Sequence, residues 1–358
     1  MLFRLMLLAT IGFISACSVA NSNTRAVSAV GADPVQREKL VIGDSPKGIF
    51  VSSGPNVSDS VLSQKHVVGN LIRVGWDQVE ASPGKYDFSK IKAKIEQAKR
   101  LNKKVTLSVL NGPRAPQWLY KQGAVPFKYE FRNKFSHKGN RDEVIPVPWD
   151  PVYLKHWLEL IAALGNTFAH ESTIELVHIT HSSKNGFEMH LPEERVKGRR
   201  ESMHSGPWKE AGFSESRYID SLKKITDAFL VAFPKHSVDI EIHPVLNSLN
   251  PAKSIYAYGY QRYGKRFGLL AAWWSGKPQK WNSDLTKLLT EACQQSFCAI
   301  QMIGNETKHP DRLLGGSLLE AMSDARDKGA KYFEVWDIDL RNKKLEPQLE
   351  QFSRSLND

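Results

Sequence analysis

The sequence predicts an α/β protein built as a single (β/α)8 TIM barrel, preceded by a lipoprotein signal peptide and a flexible tether. Three observations carry that expectation. Eight strand-like segments alternate with helix-like ones, the βαβ pattern of a parallel sheet. Polar and aromatic residues gather where those segments end. No internal repeat or low-complexity linker divides the 358 residues. A chain of this length accommodates one large barrel or two ordinary domains, and the unbroken alternation favours the barrel.

The N-terminus reads as a targeting segment. Arg4 supplies the only charge before an apolar stretch, Leu5 to Ile14, of signal-peptide length and too short to span a bilayer. It ends in Ile14-Ser15-Ala16-Cys17, which resembles a bacterial lipobox, where small residues precede a cysteine that becomes lipidated. Residues 1–16 are therefore expected to be a signal peptide and Cys17 the lipidation site. Residues 17–45 read as a polar tether and residues 46–358 as the barrel. Ser18, where Asp would favour retention at the inner membrane, implies outer-membrane sorting. The expected location is the bacterial cell envelope, with the membrane a partner through the lipid anchor.

Hydrophobic residues make up 41% of the chain and charged residues 24%, as in a globular protein. The net charge is +11. A dense basic stretch, Arg195-Val-Lys197-Gly-Arg199-Arg200, suits an acidic polysaccharide or an anionic membrane, though a solvated loop is the plainer reading. Nucleic acid is not an expected partner, since no binding module is recognisable. Besides Cys17 the cysteines are Cys293 and Cys298, at a helix-to-strand junction. They read either as a local disulfide or as two small core residues. No metal-ligand pattern accompanies them, and neither metal nor cofactor is expected.

The elements follow in order. Strands are expected at 47–54, 70–76 and 104–110, with a helix at 89–101 whose Ile91, Ile95 and Ala98 recur at helical spacing. Residues 119–148 read as a loop insertion. An amphipathic helix at 151–168 carries Trp157, Leu158, Ile161 and Leu164 on its apolar side, and the fourth strand follows at 173–180. A long polar loop runs from His181 to about Phe213, and loops of that length tend to be functional. Then come a helix at 216–233, strands at 237–243 and 267–274, a helix at 284–292 and a strand from 297 that closes on Glu306. A helix at 313–328, capped by Gly329, and a strand at 332–338 complete the pattern. The connection between the fifth and sixth strands carries no clear helix signal.

A barrel brings its strand ends to one face. That face would collect Arg73 and Trp76 from the second strand, Asn111 and Trp118 from the third, and His181, Asn185 and Glu188 after the fourth. His243, Trp274, Glu306 and Trp336 would follow from the later strands. The chain has no nucleophile elbow, phosphate loop or dinucleotide fingerprint.

The segment Arg73-Val-Gly-Trp76-Asp-Gln-Val-Glu80-Ala-Ser-Pro83-Gly84-Lys-Tyr86-Asp87-Phe88 resembles a stretch of the clan A glycoside hydrolases, most of all the β-galactosidase-like families. Ala115-Pro116-Gln-Trp118-Leu and Val147-Pro-Trp149-Asp150-Pro151 are similar to later pieces of the same families. The likeness is strong over residues 47–160 and architectural beyond.

The clan keeps an acid/base Glu after the fourth strand and a nucleophile Glu at the end of the seventh. By strand count the resemblance implies Glu188 and Glu306 for those catalytic roles. It implies hydrolysis of glycosidic bonds in an oligo- or polysaccharide by a retaining two-carboxylate route. Arg73, Trp76, Asn111, Trp118, His181, Asn185, His243, Trp274 and Trp336 would bind the carbohydrate substrate. The fourth-strand region departs from the clan's adjacent Asn-Glu, because Glu188 follows Asn185 at a distance. That departure motivates two alternatives on the same barrel, a non-catalytic saccharide-binding lipoprotein or one that serves polysaccharide assembly.

Overall fold

A computed structural model describes residues 45–52, 56–131, 140–193, 195–196, 199–200, 206–278 and 282–356. The expected signal peptide, Cys17 and nearly all of the tether lie outside them.

The described chain forms a closed barrel of eight parallel strands. They are β1 (Gly48–Ser52), β2 (Val67–Gly75), β3 (Lys104–Leu110), β4 (Ile174–Ile179), β5 (Ser237–Glu241), β6 (Phe267–Trp274), β7 (Cys298–Met302) and β8 (Tyr332–Trp336). Their order around the barrel follows the chain, and β8 closes on β1 with Gly48 opposite Tyr332 and Ser52 opposite Trp336. The connecting helices are α1 (Asp59–Leu62), α2 (Ser89–Arg100), α3 (Pro151–Phe168), α4 (Glu215–Ala232), α5 (Asn250–Tyr263), α6 (Ser283–Gln295), α7 (Leu318–Asp327) and α8 (Glu346–Ser355).

The helices form where the sequence supplies caps and an apolar stripe. In α3 the Asp150 carboxylate accepts the Tyr153 N–H at 2.8 Å and Pro151 opens the first turn. Its buried face carries Tyr153, Trp157, Leu160, Ile161 and Leu164. In α4 the Ser214 hydroxyl accepts the Arg217 N–H. The strands alternate, as a two-residue period requires. One set of side chains packs outward against the helices in the main apolar core, and the other points into the barrel. Phe50, Leu176, Leu270, Ala299 and Tyr332 fill the interior as a second apolar cluster. It is a packed core and no pore.

The motif that carried the family resemblance has a structural purpose. Glu80 is buried, and each of its side-chain oxygens accepts one hydrogen bond, Oε2 from Trp76 Nε1 at 2.6 Å and Oε1 from Gly84 N at 2.8 Å. Its backbone carbonyl accepts from Trp118 Nε1 at 2.9 Å. Gly84 has φ +70° and turns the chain there, a conformation glycine adopts without strain. The acid, the glycine and the two tryptophans thus lock the segment after β2 against that after β3.

Three features differ from expectation. The insertion at 119–148 contains an antiparallel hairpin, Pro126–Phe131 with Arg141–Pro146, and Phe127 stacks on Trp208 with centroids 3.6 Å apart. The β5–β6 connection holds α5, whose four tyrosines and Gly259 blurred its helical period. Strand β7 ends at Met302, four residues before Glu306. At the α6–β7 junction Cys293 and Cys298 are joined as a disulfide.

Candidate active site

The rim formed by the C-terminal ends of the strands opens into a cavity of about 640 Å³. Arg73 reaches it from β2, Leu110 from β3, Gln301 from β7 and Trp336 from β8. The segment after β4 supplies Lys184, Asn185, Phe187, Glu188, His190 and Glu193, and His243 stands just after β5. Trp273 of β6 also lines it, next to a register irregularity between Ala271 and Trp274.

The segment after β4 owes its path to backbone docking and local hydrogen bonds. Asn111 N donates to Gly186 O at 3.1 Å, which ties it to the end of β3. Gly186 has φ +77°, and a β-carbon there would fall 2.1 Å from Asn111 O. The Asn185 side-chain oxygen accepts the N–H groups of Phe187 and Glu188 at 3.1 and 2.9 Å. That turn aims Glu188 at the cavity, so the separation of Asn from Glu in the sequence is spanned by Asn185 itself.

Beneath the cavity lies a buried charge network. Glu334, fully buried, sits 3.7 Å from the Arg73 guanidinium and accepts hydrogen bonds from Tyr332 Oη and Gln301 Nε2. His178 Nε2 is 3.4 Å from Glu334, and His178 Nδ1 meets Asp239 at 2.8 Å. Burial alone would lower the His178 pKa, but Asp239 and Glu334 outweigh it and hold the imidazole above its usual value. Arg73 spans the two levels. It feels the negative charge of both Glu334 and Glu188, and its guanidinium stacks 4.8 Å from the Phe187 ring centre.

Of the expected site residues, the structure brings Arg73, Asn185, Glu188, His243 and Trp336 to the cavity. The Trp336 ring is fixed by its Nε1–H, which donates to Met302 O at 2.6 Å. The other residues stand elsewhere. Trp76 is fully buried against Trp118, Tyr153 and Trp157. Asn111 is buried and donates to Tyr153 Oη. Trp118 holds the Glu80 turn. His181 is buried with its Nδ1 on Ser182 O, and burial lowers its pKa to about 4. Trp274 donates to Ala321 O, away from the cavity.

Glu306 is also placed away from the cavity. Its backbone N–H and that of Thr307 donate to Asp339, each at 2.9 Å, and its carboxylate accepts the Leu318 N–H at 2.7 Å. It therefore caps the start of α7. The inward alternation of β7, Ala299 then Gln301, makes that strand's contribution to the cavity wall an amide and not an acid. Counting to Glu306 went past the strand's true end. Sequence reasoning also passed over Phe187, His190, Glu193 and Gln301, of which Gln301 was open to the two-residue period.

The family model of the β-galactosidases of glycoside hydrolase family 42 matches residues 62–233. The match runs past residue 160, through β4 and the cavity loop. No curated protein sequence matches the chain. Among solved structures, the catalytic domain of a β-amylase from Paenibacillus polymyxa superposes with a TM-score of 0.57 at 14% identity, over 87% of this chain and 98% of that one. A xylanase 10B from Thermotoga petrophila gives a TM-score of 0.46 at 12% identity, over 81% and 82%. An endo-glycoceramidase II from Rhodococcus sp. gives 0.46 at 14%, over 82% and 73%. The match spans just under half of the chain, and what it marks is a likeness to the β-galactosidase-type glycoside hydrolases, carried on a closed eight-stranded barrel, that supports glycosidase activity.

Proposed function

We propose that the chain cleaves glycosidic bonds of an oligo- or polysaccharide in the rim cavity, with Glu188 as the proton-donating carboxyl. The observation that carries this reading is the meeting of Glu188, Arg73 and Trp336 in one cavity. Trp336 offers the flat face on which a pyranose stacks. Glu193 is the second carboxylate at the wall and takes the nucleophile role of the retaining route. Proton NMR of the first-formed sugar, from aryl glycosides that the chain cleaves, is expected to give retention of the anomeric configuration. Inversion would rule out a glycosyl-enzyme on Glu193.

A second reading is a barrel that holds a saccharide without cutting it, and Gln301 favours it. The family pattern sets an acid on the seventh strand, and Gln301 is an amide bonded to Glu334. Glycan binding without any cleavage across the substrate panel would select that reading.

The Ile14-Ser15-Ala16-Cys17 segment supports a lipid-anchored protein of the bacterial envelope, and Ser18 favours an anchor in the outer membrane over the inner. Palmitate labelling of the full chain is expected, with loss of label in Cys17→Ser. Equal labelling of both would refute the anchor.

A further inference from the structure

The cavity wall carries a ligand set that proton transfer to a sugar does not require. Glu188 Oε2 lies 3.3 Å from His190 Nδ1 and 3.9 Å from His243 Nε2. One ligand atom from each of the three residues falls within 4.8 Å of the others. A tetrahedral ion with nitrogen and oxygen ligands at ordinary bond lengths spaces those ligands about 3.3 Å apart. Small side-chain rotations close the set on such an ion.

The support around these residues is that of a metal centre. Glu241 is buried and stands 2.6 Å from His243 Nδ1. With the Nδ1 proton donated to Glu241, Nε2 keeps its lone pair on the side of Glu188. The other Glu241 oxygen accepts the N–H of Met189, the residue between Glu188 and His190, at 2.7 Å. Tyr218 Oη donates to the Met189 carbonyl at 2.9 Å. One buried carboxylate thus orients the β5 ligand and fixes the backbone that carries the other two. A carboxylate that holds the far nitrogen of a ligating imidazole sets its tautomer and raises its basicity.

We propose that Glu188, His190 and His243 form a binding site for a divalent transition metal of the zinc type. Two imidazoles and one carboxylate suit zinc and its neighbours better than calcium or magnesium, which prefer oxygen alone. Three protein ligands leave a coordination position for water or a sugar oxygen, as in zinc sites that take part in chemistry. The expectation of no metal rested on cysteine spacing and did not reach a set assembled from two loops. The site goes beyond the hydrolytic reading and shares Glu188 with it: a bound ion keeps that carboxylate ionised, so the loaded site and proton donation by Glu188 exclude each other.

The test is calorimetric titration of zinc chloride into the full chain after chelator treatment and dialysis. One ion per chain is expected, with affinity lowered at least about 10-fold in Glu241→Gln and further in His190→Asn and His243→Asn. Cobalt chloride gives an independent readout, since a low-coordinate nitrogen and oxygen site produces visible bands. Thermal melts of each variant separate lost ligation from lost folding, and His190→Asn carries the test if His243→Asn does not fold. Less than one equivalent in the folded wild type, or unchanged affinity in His190→Asn and His243→Asn, overturns the proposal. No turnover enters either readout, so a failure here and a failure of the hydrolytic reading are distinguishable.

Discussion

At the scale of the residue, Glu188 and Glu306 show how position decides what a carboxylate does. Glu188 is held at a cavity wall by an Asn185 turn. Glu306 spends its carboxylate on a helix N-terminus, where the helix dipole and a free N–H favour negative charge. His181 illustrates burial acting on a base. Its folded pKa of about 4 lies below the ordinary value of 6.5. Between those values the unfolded chain binds a proton that the folded chain does not, so stability falls as pH drops from 6.5 towards 4. The loss from this group is about 2 kcal/mol by pH 5. Urea denaturation at pH 7 and pH 5 is expected to show a smaller drop for His181→Asn than for wild type. An equal drop would remove His181 as the cause. Residue types were legible in the sequence where they repeat a motif, as Trp76 and Glu80 do. Their roles were not, because a rim tryptophan and a packing tryptophan look alike until the Glu80 turn closes over them.

At the scale of the element, the segment after β4 is the decisive piece. Gly186 lets it lie backbone to backbone on the end of β3. A side chain there meets Asn111 O and needs a positive φ as well. Gly186→Ala is expected to destabilise the fold by about 1–3 kcal/mol, through strain at a special backbone position. It should also lower cleavage by displacing Glu188, measured as chemical denaturation and turnover on the same preparation. Unchanged turnover would mean that this docking does not position Glu188. The regular elements were legible because period and caps coincide, as in α3, where Asp150, Pro151 and the Trp157 stripe agree. The antiparallel pair Pro126–Phe131 and Arg141–Pro146 was hidden because it packs on an accessory aromatic layer, with Phe127 stacked on Trp208, and is not a strand of the barrel. The end of β7 was misjudged for a different reason. Ile303 extends the apolar run by one residue past Met302, while Asp339, from beyond β8, takes the N–H groups of Glu306 and Thr307 and holds that backbone in a turn.

At the scale of the whole molecule, the barrel explains why residues from 73 to 336 meet. Parallel strands in chain order send all their C-terminal ends to one rim, so the cavity needed no local sequence signature beyond strand count. Eight alternating units were readable for that reason. The buried links of His178 to Glu334 and to Asp239 were not, since they are set by which side of each strand faces in and by pairings across the barrel. The network supports the cavity floor and carries Arg73 up to Glu188.

The most direct measurement is turnover of an aryl-glycoside panel by wild type, Glu188→Gln and Glu306→Gln. The expected result is cleavage of at least one substrate by wild type, a loss of about 10²- to 10⁴-fold in Glu188→Gln, and near-native turnover in Glu306→Gln with stability lowered by about 1 kcal/mol. Equal cleavage by wild type and Glu188→Gln, or loss confined to Glu306→Gln, would contradict the assignment of the rim cavity as the catalytic site.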